Sequence, residues 1–219
     1  MFPKYLKPLS NWFRARRNAR LVQVIDRLHE TFRRRITVLD VGGSYIFWQT
    51  IPNRHKCAIT LLNLEEAYRG LDNVSADERE RFILQVGDAR DLTRWRDGTF
   101  DLITCNSVLE HVGTWADMRR AASEFRRVGV RGWIQVPAFG FPLEQHFLLP
   151  FVHWFSEPIT TWIVWNLRRD LRSYGWEGVR INVTYCKPLS MYELRRLFPE
   201  ARAWTEWLAV FPKSHVAEW

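Results

Sequence analysis

Between residues 36 and 137, short apolar runs alternate with helical stretches, and this rhythm constrains the fold more than any other feature of the chain. Ile36-Thr-Val-Leu-Asp-Val41 is apolar and β-branched and runs into Gly42-Gly43, the pattern of a buried strand entering a tight turn. Further strands are expected over 57 to 64, 82 to 86, 100 to 106 and 132 to 137, with a helix over roughly 114 to 128. Parallel neighbours need crossover connections, and helices then cover both sheet faces. The alternation therefore predicts an α/β chain with a mostly parallel sheet and a ligand crevice at the carboxyl ends of its strands.

On either side the pattern changes. Residues 10 to 32 predict an amphipathic helix, with Ser10 as cap and Leu21, Ile25, Leu28 and Phe32 on one face opposite its arginines. From Ala138 to about Lys187 the rhythm breaks into prolines, an apolar run over 147 to 155 and the aromatic stretch Trp162-Ile-Val-Trp165. Pro150, His153, Glu157 and Pro158 interrupt that run well short of the roughly 20 residues a membrane span needs. It is expected to be a cap or lid inserted after the fifth strand. A helix over 190 to 198 and strands near 201 to 210 and 214 to 219 resume the pattern. Four segments follow: a basic helix over 1–35, a sheet core over 36–138, an inserted cap over 139–187, and the rest of the core over 188–219.

With 219 residues the chain can bury one substantial core. Its three cysteines, Cys57, Cys105 and Cys186, form no Cys-x-x-Cys pair, which argues against a disulfide framework or a zinc knuckle and fits a reducing compartment. Six Lys and Arg residues within the first twenty, with no apolar run behind them, do not make a secretory leader. A cytoplasmic location is expected. The net charge of +8 draws anionic partners, whether nucleic acid, acidic lipid or a phosphorylated metabolite. The basic first helix could dock peripherally on anionic lipid at the inner face of the membrane.

Three motifs then stand in order: Val38-Leu-Asp-Val-Gly-Gly-Ser44, Gly87-Asp88-Ala-Arg-Asp-Leu92, and Phe100-Asp-Leu-Ile-Thr-Cys-Asn-Ser-Val-Leu-Glu-His-Val112. Together the chain resembles the class I S-adenosylmethionine-dependent methyltransferases, in detail over 36 to 138 and more loosely over 188 to 219. The resemblance implies a Rossmann-like, doubly wound seven-stranded sheet whose last strand is antiparallel, with S-adenosyl-L-methionine as cofactor. It also implies that Gly42 and Gly43 line the methionine part and that Asp40 orients their loop. Asp88 and the amide of Ala89 would take the adenine, and Asn106 and Ser107 would lie where the methyl points. The ribose-binding position aligns with Asn63, where relatives carry an acid; either Asn63 makes neutral hydrogen bonds or Glu65 reaches back. The sequence departs from the family where Gly43 is followed by Ser44-Tyr-Ile-Phe-Trp48 instead of a third glycine.

A sulfonium carries an activated methyl, so such an enzyme must align a nucleophile, exclude water and, for a hydroxyl acceptor, remove a proton. Phe141-Pro-Leu-Glu144-Gln-His146 opens the insertion. His146 is the candidate base with Glu144 fixing its tautomer. His111 is either a third proton-handling residue or a structural tie. Glu144, His146 and His153 lack dense ligand spacing, and no metal is expected. The leading expectation is O-methylation of a small molecule, glycan or lipid-linked precursor. RNA or DNA methylation and a non-catalytic binding module are the alternatives; the fourth strand lacks the Asn/Asp-Pro-Pro-aromatic signature of base-amino methylation.

Overall fold

The structure is a computed structural model that describes residues 7–64, 80 and 82–219, with side chains in the first helix described from Trp12 onward. Glu65, with the rest of residues 65–79 and residue 81, lies outside the described residues. Helix α1 spans Lys7–Phe32 and buries Phe13, Leu21, Val24, Ile25 and Leu28, the spacing of one helical face. Strand β1, Ile36–Val41, follows; Ile36, Val38, Leu39 and Val41 are all at most 2% exposed, which suits a strand covered on both faces. It pairs in parallel with β2, Cys57–Asn63, which in turn pairs in parallel with β3, Phe82–Val86. On its other side β1 pairs in parallel with β4, Phe100–Asn106. A short helix α2, Tyr45–Gln49, lies between β1 and β2.

Near the start of β1, Asp101 of β4 accepts two hydrogen bonds from the Arg34 guanidinium, at 2.7 and 2.9 Å, and one from the Thr37 amide at 2.7 Å. Burial alone would raise this carboxyl, but these donors hold it below the usual carboxylate range. The register of the two strands is thereby pinned by charge-assisted bonds as well as by packing.

Helix α3 is Trp115–Val128 and leads directly into β5, Gly129–Pro137. The next segment holds a two-stranded antiparallel hairpin, β6 (Leu143–Glu144) and β7 (Leu149–Pro150), then helices α4 (Glu157–Leu167) and α5 (Gly175–Thr184). Helix α6, Met191–Leu197, starts at a reciprocal capping box between Ser190 and Glu193. Strands β8 (Arg202–Leu208) and β9 (Phe211–Glu218) end the chain.

Among the described residues, seven strands form one sheet in the order β3-β2-β1-β4-β5-β9-β8. Gly132 exchanges both backbone hydrogen bonds with Trp219, and the Ala138 amide bonds the Lys213 carbonyl, so β9 runs antiparallel to β5. This is the expected Rossmann-like sheet with its last strand reversed.

Two compact units divide the chain: Met1–Asn106 with Arg120–Ile134 and Glu218–Trp219, and Ser107–Arg119 with Gln135–Ala217. Within the second, Phe147, Val152, Val164, Val179 and Val183 pack into a core of their own, with Leu149, Ile163 and Trp165 against it. The insertion is therefore helical and packed. Among the described residues, no helix is long and apolar enough to cross a membrane.

Candidate functional site

In the first unit, the glycine turn after β1 is dictated by two separate constraints. Gly42 has φ +68°, in the left-handed region that favours glycine, and its amide bonds the Leu62 carbonyl at 2.7 Å. At Gly43, a Cβ would stand 2.0 Å from Asp40 Oδ2, so only glycine lets the turn close over that carboxylate. Asp40 itself is buried; it accepts from the Trp48 indole N–H at 2.8 Å and from the Thr104 hydroxyl at 2.7 Å. The bulky residues that replace the third glycine form α2, capped by the Ser44 hydroxyl, with Tyr45 and Trp48 buried. Trp48 thus supplies a donor to the carboxylate that organises the turn.

Burial pushes the Asp40 carboxyl up to about 7, against the opposing effect of the Thr104 and Trp48 hydrogen bonds. Between the ordinary aspartate value and about 7, the folded chain holds a proton that the unfolded chain releases, so this group's contribution to stability declines as pH rises through that window. Asp40→Asn is therefore expected to stabilise the cofactor-free protein most at pH 8 and to lose that advantage toward pH 4. Urea unfolding of both proteins at the two pH values checks this; an equal difference at both would contradict it.

Asn63, at the end of β2, donates its side-chain N–H to the Gly43 carbonyl at 2.9 Å, which leaves Oδ1 as an acceptor for a ligand. The Asp88 carboxylate is engaged by Arg90, through its amide at 2.8 Å and its guanidinium at 2.6 to 3.0 Å. A cavity of about 410 Å³ lies beside it, lined by Leu62, Gly87, Asp88, Asp91, Thr93 and Trp95 among others. Ala89 is half-buried. Asn106, at the end of β4, has both side-chain polar atoms buried without a hydrogen-bond partner. A buried amide left unsatisfied by protein costs free energy that a polar ligand would recover.

In the second unit, Ser107 has φ +53° and is held by Gln135, through its amide to the carbonyl and its hydroxyl to Oε1, both at 2.9 Å. Three residues on, a 3-10 turn over Leu109–His111 places Glu110 and His111. Hairpin β6–β7 presents Glu144 and His146. The Glu144 carboxylate is buried and accepts from the amides of His146 and Phe147, at 2.7 and 2.6 Å, and from His146 Nδ1 at 2.6 Å. That contact fixes the proton on Nδ1 and leaves Nε2 as the basic nitrogen.

Burial opposes charge on His146, but the hydrogen bond to Glu144 together with the charges of Glu144 and Glu110 outweighs it and holds this histidine above its ordinary value. The His111 ring meets His146 edge-on at 4.6 Å, and its Nδ1 lies 2.9 Å from the Tyr185 carbonyl. Burial and the neighbouring His146 lower its pKa. Glu110 is fully buried, with both carboxylate oxygens lacking hydrogen-bond partners, and burial pushes it up to about 8. Cys186 Sγ stands 3.8 Å from His111 Nδ1, and burial pushes the thiol up to about 12.

A cavity of about 640 Å³ adjoins this group, with Glu144, Phe139, Phe147, Phe155, His153 and Thr160 in its wall. Its wall mixes aromatic side chains with Glu157, Lys187, Ser190 and Glu193. His153 Nε2 bonds the Phe139 carbonyl at 2.9 Å. Cys186 and Thr104 were not singled out by sequence as parts of these groups. Partners 64 or 75 positions apart, such as Asp40 with Thr104 or His111 with Cys186, leave no local spacing to find.

Residues 39–132 match a family described as a methyltransferase domain. No curated protein matches the chain. Among solved structures, an O-methyltransferase family protein from Burkholderia thailandensis is similar at 14% identity and TM-score 0.53, over 92% of this chain and 57% of that one. The protein WbdD, crystallised with a kinase inhibitor, is similar at 16% identity and TM-score 0.56, over 92% of this chain and 40% of that one. The N-terminal domain of EvdMO1, crystallised with SAH bound, gives 16% identity and TM-score 0.53, over 90% of this chain and 79% of that domain. These likenesses establish the fold. The chain spans 40% to 57% of the length of the first structures it matches.

Proposed function

We propose, from the premise that residues 39–132 are a methyltransferase domain of the class I S-adenosylmethionine-dependent family, that the chain methylates a hydroxyl oxygen of a small molecule, glycan or lipid-linked precursor. S-adenosylmethionine, when bound, supplies a methyl group already activated on a sulfonium. The residues of the first unit suit that ligand. Gly42 and Gly43 offer a close backbone approach, with Asp40 holding their turn, and Asn63 Oδ1 is open to a ribose hydroxyl. Asp88 borders the cavity that adenine would use, with the Ala89 amide next in the chain, and the unsatisfied Asn106 amide offers both a donor and an acceptor. Glu65, outside the described residues, is the alternative ribose partner. Ser107 follows directly on the same loop.

On this reading, Glu144 orients His146, whose Nε2 takes the proton from the acceptor hydroxyl as its oxygen attacks the methyl carbon. The observation that carries the reading is the 2.6 Å Glu144–His146 contact, in which Glu144 also lies in the wall of the cavity of about 640 Å³. His111 packs against the base and shapes its electrostatics. Calorimetry with S-adenosylmethionine, followed by transfer of a labelled methyl to a panel of sugar, phenol and polyprenyl-linked hydroxyls, tests it. Saturable binding and label in at least one hydroxyl compound are expected. Absence of any binding heat would end the transferase reading and favour a fold retained without its cofactor.

A further inference from the structure

We infer that His111, His146 and Cys186 form a binding site for a zinc-class divalent cation, and that a metal held there silences the histidine base. Each side chain offers one ligand atom, and these atoms lie within 4.8 Å of one another. On a tetrahedral zinc, with Zn–N about 2.0–2.1 Å and Zn–S about 2.3 Å, neighbouring ligand atoms stand roughly 3.3–3.7 Å apart. Side-chain rotations of about an ångström therefore close the set. Two imidazoles and a thiol select zinc and its neighbours over magnesium or calcium, which demand oxygen ligands.

The surroundings are arranged as metal-bound histidines require. His146 Nδ1–H is held by the Glu144 carboxylate at 2.6 Å, and His111 Nδ1 lies 2.9 Å from the Tyr185 carbonyl. The Glu144 contact leaves His146 Nε2 as the coordinating nitrogen, and Cys186 Sγ stands 3.8 Å from His111 Nδ1. An independent sign comes from Glu110. Its buried carboxylate has no hydrogen-bond partner, and Oε1 stands 3.9 Å from His111 Nε2. A dication beside it would add to the partial charge compensation that His146 gives this carboxylate. On binding, the Cys186 thiol gives its proton to solvent and coordinates as thiolate. Three protein ligands leave a fourth position open to water.

The silencing rests on the proposed transferase reading, because metal coordination occupies the His146 Nε2 lone pair that would take the acceptor's proton. The site itself does not rest on it. The test is titration of the whole chain, first stripped with a chelator, with cobalt and then zinc. One equivalent is expected to bind, with a thiolate-to-cobalt charge-transfer band that zinc abolishes. Cys186→Ser should lose the band and weaken zinc binding at least tenfold, and His111→Gln should weaken it comparably. Circular dichroism establishes that each variant is folded. If one is not, the other decides, together with the cobalt spectrum of the unaltered chain. Absence of the band, or unchanged zinc affinity in a folded variant, would overturn the site. Methyl transfer should fall in stoichiometric zinc and return with chelator; zinc-stimulated turnover would overturn the silencing. A chain that binds cobalt but transfers no methyl would refute the transferase reading and leave the metal site standing.

Discussion

His146→Ala is expected to lower methyl transfer by about 10²–10⁴-fold, the usual worth of a positioned acid-base group, with affinity for S-adenosylmethionine unchanged. The separation follows from where the side chain belongs. His146 lies in hairpin β6–β7 of the second unit, while every residue proposed to grip the cofactor except Ser107 lies on the strand ends and turns of the first. Removing the ring takes the donor from Glu144 Oε1, while Oε2 still accepts from the amides of residues 146 and 147 and holds the carboxylate in place. The change should appear in kcat, with a smaller loss of stability from the buried Oε1 left without its donor. Single-turnover rates at saturating cofactor, with chelator present, set against calorimetric affinity for S-adenosylmethionine, check it. A variant that turns over at the parental rate would return His146 to a packing role.

Trp48→Ala is expected to destabilise the protein by about 3–5 kcal/mol from lost burial alone, since the side chain is fully buried. Loss of the indole N–H adds about 1–3 kcal/mol by leaving the Asp40 carboxylate with one fewer donor. For a chain of this size each kcal/mol moves the melting temperature by roughly 2–4 °C, so a drop of about 8 °C or more should be seen. Trp48→Phe keeps most of the ring and removes the donor, and should show mainly the second part. Because Asp40 braces the turn at Gly43, both variants should also weaken S-adenosylmethionine binding. Thermal melts and calorimetry on the same samples read both effects, and a melting temperature within about a degree of the parent would refute the assigned role.

The sheet was legible because its strands are continuous apolar runs closed by Gly, Asp or Asn. Ile36–Val41 and Phe100–Asn106 stand where the sequence places them, and β5 begins three residues earlier than expected, at Gly129. The insertion was less legible because its helices invert the usual pattern. In α4, Thr160, Thr161 and Val164 are buried while Ile159, Trp162 and Leu167 face outward, so apolar periodicity points to the wrong face. Helix α2 is five residues long, shorter than a window in which periodicity can be judged. The Glu144–His146 pair was readable because its members are two positions apart; the addition of His111 and Cys186 depends on tertiary structure alone.

The histidine and the carboxylate that sets its tautomer share one short β-turn segment, so they travel as a single rigid tool. A displacement of that hairpin would change how far the ring reaches while leaving its affinity for a proton nearly constant. Reach and basicity can then be tuned separately: substitutions under the hairpin should alter which acceptors are served, and substitutions at Glu144 should alter the pH at which they are served.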